Sequence, residues 1–95
     1  TLAGKKDIAA MKLAAVTNRG AKKDFIDLFF LLRDNSLSEM LDWYSRKFPD
    51  GSRFLVLRSL SYFDDAEQDE DPMVLTSWSW PETKAAIENA LREIP

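Results

Sequence analysis

The 95 residues, 45% apolar and 31% charged, make one small globular domain, residues 1–95, and are too apolar for a disordered chain. Histidine and cysteine are both absent, which excludes disulfides, Ser-His-Asp and Cys-His nucleophiles, imidazole bases and ordinary zinc sites. A net charge of −3 is too small to imply a partner, and neither a signal peptide nor a membrane-spanning apolar run is present, so a cytoplasmic protein is expected.

The elements read as helices in chain order. Helix periodicity predicts the first over residues 6–18, with Asp7 at the positive end of the macrodipole and Gly20 ending it in a left-handed turn. Its alanines at 9, 10, 14 and 15 allow another helix to approach closely. A hinge at Asn18-Arg19-Gly20 leads to a second helix over residues 22–33. There Phe25, Leu28, Phe29 and Leu32 repeat at helical spacing, and Ile26, Phe30 and Leu31 widen the apolar surface. That breadth marks the second helix as the expected bundle centre. Ser36 and Glu39 form a capping box for a third helix with Leu37, Met40, Leu41, Tyr44 and Phe48 inward. Pro49-Asp50-Gly51 is a turn, and Ser52 caps a fourth helix. F-L-V-L-R-S-L-S-Y-F also suits a buried strand, but Phe54, Leu57 and Ser61 align on one helical stripe and Val56, Leu60 and Phe63 on another, which favours helix. Residues 64–71 carry six of the 16 acidic residues and no basic one, and read as a solvated loop lacking EF-hand spacing. Residues 72–80 read as an extended strap placing Trp78 and Trp80 over the bundle. Pro81 then opens a last helix to Arg92, with Thr83, Ala86, Ile87, Ala90 and Leu91 inward. The expected fold is therefore all-α: a compact bundle of about five helices with a Trp-containing strap before the last.

Charge on the first two helices singles out candidate site residues. Lys12 is the only charged residue between Ile8 and Val16, and Asp24 and Asp27 form an acidic stripe at i, i+3. A charge among apolar side chains costs free energy unless it is paired or bound. Lys12 is either a snorkelling stem along Ile8 and Val16 or a point charge gripping phosphate. Asp24 and Asp27 are either a dipole partner and an interhelical ion pair, or a metal ligand or base. Arg19, Lys22 and Lys23 cluster at the hinge, as a solvated turn or as an anion site at a helix start. Arg46, Lys47, Arg53 and Arg58 make at most a scattered basic patch.

The runs D-I-A-A-M-K-L-A-A (Asp7 to Ala15) and R-G-A-K-K-D-F-I-D-L (Arg19 to Leu28) resemble the C-terminal half of AbiEii/AbiGii-type nucleotidyltransferases, toxin components of abortive-infection systems. L-S-E-M-L at Leu37, Lys47-Phe48 and L-S-Y-F-D-D-A-E at Leu60 extend the likeness over nearly the whole chain. The resemblance implies a polymerase-β-like enzyme that transfers a nucleotide from an NTP, with Mg2+, to an acceptor, RNA in some relatives. By position it assigns Lys12 to the NTP phosphates and Asp24 to the reacting groups as the catalytic carboxylate, while Arg19 and Lys23 of the hinge cluster are expected to bind nucleotide beside Lys12. Asp27 and Asp7 stand in support. Phosphoryl transfer needs positioned charge more than covalent chemistry, which suits this set. The family's nucleotide- and metal-binding Gly-Ser turn and Asp-x-Asp pair belong to its N-terminal half, which the likeness does not cover. The chain is thus expected to be the helical part of a split site, bearing no metal itself, inactive alone and completed by an N-terminal half. The alternative is a non-catalytic helical interaction module that self-associates through an exposed apolar face.

Overall fold

The computed structural model describes residues 4–69 and 79–94. It is all-helical, with α1 (Lys5–Asn18), α2 (Lys22–Leu31), α3 (Leu37–Lys47), α4 (Arg53–Leu60), the single turn α5 (Asp64–Glu67) and α6 (Trp80–Arg92). The five longer helices make the bundle that periodicity predicts. Among the described residues no helix is long and apolar enough to cross a membrane.

The centre of the bundle is α1 rather than α2. It packs against α2, α3 and α4, with Ala9, Ala10, Leu13 and Val16 buried. Two of those four are alanines, so neighbouring backbones come close and a helix of modest hydrophobicity can still be the hub. The apolar residues of α2 run round most of its surface, and they are divided between partners. Phe25 packs against Phe63 at 5.1 Å and Trp80 at 5.9 Å between ring centroids. Phe29 and Phe30 stay half-buried under the guanidinium of Arg33, 5.2 and 4.9 Å from their ring centres.

The turn between α1 and α2 forms as expected: the Arg19 amide donates to Ala15 O at 2.7 Å, and Gly20 takes φ +63°. A left-handed backbone there lets the chain reverse within three residues, so α2 runs back along α1. α2 ends at Leu31, two residues early, where bonds from Arg33 and Asp34 to Phe30 and Leu31 tighten the last turn. The capping box of α3 is complete: Ser36 Oγ accepts from the Glu39 amide at 3.1 Å, and Glu39 Oε1 accepts from the Ser36 amide at 3.0 Å.

Residues 53–60 form a helix, as the stripe argument favours over a strand. Only one of its two stripes faces inward. Val56 and Leu60 are buried, whereas Phe54 is 69% exposed and Leu55 is also exposed.

Over residues 64–69 the acidic segment is not a free loop; 70 and 71 lie outside the described residues. Ala66 is buried, Asp69 Oδ2 accepts from the Lys22 amide at 2.9 Å, and Glu67 meets α6. Its acids serve as the cap of α2 and the partner of Lys84, because α5 has to dock Ala66 and Phe63 against the core. Trp80 is the first residue of α6 rather than part of a strap, with Ser79 as N-cap and Pro81 at the second position. Residues 72–78 of the expected strap lie outside the described residues. The predicted inward face of α6 holds: Thr83 and Ile87 are buried, and Ala86, Ala90 and Leu91 are half-buried.

Candidate functional site

Antiparallel packing of α1 and α2 places Lys12 roughly 9 Å below the turn on one helix. Asp24 and Asp27 sit at matching heights on the other. The Lys12 ammonium lies 2.7 Å from Asp27 Oδ2 and 3.8 Å from Asp24 Oδ1. Arg19 folds back from the turn and its Nη2 donates to both Asp24 oxygens at 3.0 Å. Four of the six predicted site residues therefore form one cluster.

Burial grades the cluster. The Asp24 side chain is 0% exposed, Lys12 is 31% exposed and Arg19 is 56% exposed. Burying a carboxylate costs several kcal/mol unless its oxygens are satisfied. Asp24 is satisfied by Arg19, by Lys12 and by its place in the first turn of α2, where the macrodipole favours negative charge. Its role in this geometry is to hold two cations at the surface. Asp27 is the outer carboxylate, half in solvent, and shares Lys12 through a short charge-assisted bond.

The remaining candidates lie elsewhere. Lys23 is exposed in the first turn of α2, outside the cluster. Asp7 is on the far part of α1, 3.8 Å from Lys47 of α3, and does not join Lys12. Lys22 is buried, with its ammonium 5.1 Å from the centre of the Trp80 ring.

Two cations face two carboxylates, so the cluster is neutral as it stands. An incoming phosphate would compete with solvent-facing Asp27 for Lys12, leaving Asp24 bound to Arg19. A divalent cation fits poorly: both Asp24 oxygens are occupied by Arg19, and among the described residues no group of three or more acidic side chains could hold a metal.

Sequence reasoning missed two features. One is the contact of α5 with α6, where Glu67 accepts from Lys84 at 2.7 Å and from the Trp80 indole. The hydrogen bond from Lys84, then that from Trp80, holds the Glu67 carboxyl below its ordinary value. The other is an open cleft of about 460 Å³ between the end of α1 and α4, which Arg19 shares with Arg58 and Tyr62. A stripe argument that seeks the inward face of α4 passes over its outward one.

Among known proteins, the uncharacterized protein aq_aa25 of Aquifex aeolicus is 41% identical to this chain over 70 residues, covering 72% of this chain. The chain spans 34% of the length of that protein. No family model matches the chain, and no solved structure matches it.

Proposed function

We propose that this chain is the helical part of a nucleotidyltransferase of AbiEii/AbiGii type, in which Lys12 and Arg19 grip the phosphates of an NTP. The observation that carries the reading is the meeting of Lys12, Arg19, Asp24 and Asp27 from two helices, with a fully buried carboxylate fixing two solvent-reaching cations. Catalysis of phosphoryl transfer is mainly the positioning of charge, and a cation held by a buried carboxylate is positioned before the ligand arrives. Asp24 is on this account a positioning residue next to the reacting groups rather than a base in contact with them. Mg2+ and the residues that bind it belong to the other half of the site.

The test uses a protein carrying both halves. Lys12→Ala weakens NTP binding roughly 10- to 100-fold, the value of a charge-assisted hydrogen bond to phosphate. Its melting temperature falls by less than about 5 °C, because a partly exposed ion pair contributes little. A large loss of stability with NTP binding intact would make Lys12 a structural residue and end this reading.

A second reading rests on a separate observation. Ile8 and Met11 are exposed on α1, and Phe54 and Leu55 on α4, as expected of a helical module that docks on another protein or on itself. Concentration-dependent self-association by sedimentation, abolished by Phe54→Glu, together with no affinity for NTP in the two-half protein, would favour it.

A further inference from the structure

The cleft beside the cluster has the parts of a nucleotide site. Its walls are the end of α1 with the following turn, the outward face of α4, and Asp65 of α5. Its volume, about 460 Å³, falls in the range of roughly 300–1,000 Å³ usual for small-molecule pockets. Arg58 lines it and has no ion-pair partner among the described residues. Arg19 lines it too, and its bonds to Asp24 use Nη2 alone, leaving the other guanidinium donors for a ligand. Tyr62 presents an exposed ring, with exposed Leu55 next to it. Asp65 is exposed at the rim, and its side chain has no partner among the described residues.

We propose that this cleft binds a ribonucleotide, with the base stacked on Tyr62, the ribose hydroxyls on Asp65 and the phosphate on Arg58 and the outer face of Arg19. Each contact follows from the chemistry of the group. An exposed aromatic ring in a cationic groove is a stacking platform for any base. A carboxylate accepts from a ribose hydroxyl, as acidic residues do in dinucleotide sites. Guanidinium groups match the geometry of phosphate oxygens.

The same walls argue against a simple anion trap. The C-terminal ends of α1 and α4 both reach the cleft, and helix ends of that polarity repel anions. Asp65 adds a full negative charge. Arg58, in the last turn of α4, offsets one dipole. Free phosphate is therefore held weakly, and affinity comes only when ring, sugar and phosphate engage together. A phosphopeptide would offer a phosphate and a ring but no diol for Asp65. The inference shares Arg19 with the nucleotidyl-transfer reading, but Arg58, Tyr62 and Asp65 take no part in that cluster, so Arg58→Ala and Lys12→Ala tell the two apart.

The experiment is titration of the chain, followed by NMR or calorimetry, with ribonucleoside 5′-monophosphates, dAMP, inorganic phosphate, a phosphotyrosine peptide and a single-stranded tetraribonucleotide. Saturable binding of a ribonucleotide is expected, roughly tenfold or more tighter than of inorganic phosphate. Arg58→Ala and Tyr62→Ala each weaken it about tenfold, Tyr62→Phe restores it, and Asp65→Asn removes the preference for AMP over dAMP. Tighter binding of the tetranucleotide identifies an RNA end as the occupant, and equal binding a free nucleotide. All these side chains are exposed, so the variants fold. The proposal is overturned by absence of saturable binding, by phosphate or the phosphopeptide binding as well as AMP, or by binding that Lys12→Ala abolishes and Arg58→Ala spares.

Discussion

Asp24 is the residue on which the cluster depends. It is the one carboxylate of the four-residue cluster with no exposed surface, and both its oxygens are bound by Arg19. Asp24→Asn keeps the shape and removes the charge. Arg19 can turn to water, so the loss is smaller than for a fully buried pair: about 1–3 kcal/mol of unfolding free energy by urea denaturation. Lys23→Ala, one position earlier and exposed, changes stability by less than about 0.5 kcal/mol. Equal effects at both positions would mean that Asp24 is not an anchor. The oddity of these charges was legible from their apolar neighbours alone, and so was the pairing of α1 with α2, because Gly20 dictates a reversal. The grading by depth was not legible. Which carboxylate lies inside depends on Arg19 folding back from the turn, a tertiary event that spacing along α2 does not encode. Lys23 was drawn in by neighbourhood in the chain and Asp7 by its place in the resemblance, and neither reaches the cluster: Lys23 is exposed and Asp7 lies by Lys47.

At the scale of the element, caps and turns were readable because their chemistry is local. Ser36, Glu39 and Ser52 each make the bond that their position predicts. The direction in which a helix faces was less readable where two stripes compete, as on α4. There the core takes Val56 and Leu60 because α1 and α6 meet that side, and Phe54 is left in solvent. The breadth of α2 misled in the same way: a helix apolar all round need not be central if its faces are divided among neighbours. The turn at Pro49-Asp50-Gly51 carries a sharper constraint than its residues alone disclose. A Cβ at Gly51 would come within 2.8 Å of Tyr44 Cζ and 2.9 Å of Cε2. Tyr44 is buried and packed against Phe48, 5.3 Å between ring centres, so its ring cannot swing aside cheaply. Gly51→Ala therefore destabilises the fold by about 1–3 kcal/mol, the usual range for overpacking, and Tyr44→Phe partly relieves it by removing the hydroxyl. Additive effects of the two substitutions would show that the Tyr44 hydroxyl is not part of the obstacle.

For the whole molecule, the question is what fastens the C-terminal helix to the bundle. α6 contacts α2 and α4, and its start is held by a cluster in which Phe25, Phe63 and Trp80 pack edge to face or tilted. Lys22 and Lys84 lie 5.1 and 5.7 Å from the Trp80 ring centre, and Glu67 accepts from Lys84 and the indole. The acidic segment thus ties α5 to α6 through one carboxylate. The folded-state pKa of Glu67 lies below its ordinary value of 4.5, so the native state favours the ionised form. Its contribution to stability is complete above that ordinary value and is lost as pH falls through the folded one. Other carboxylates titrate in the same range, so the difference between wild type and Glu67→Gln isolates this one. Urea midpoints measured from pH 7 to about pH 3 are expected to converge at the acid end and to separate above roughly pH 4.5, wild type being the more stable. High salt narrows the gap, because Glu67 is exposed and its attraction to Lys84 is screened. Parallel curves across the whole range would show that aromatic packing alone seats α6 and that the carboxylate is incidental.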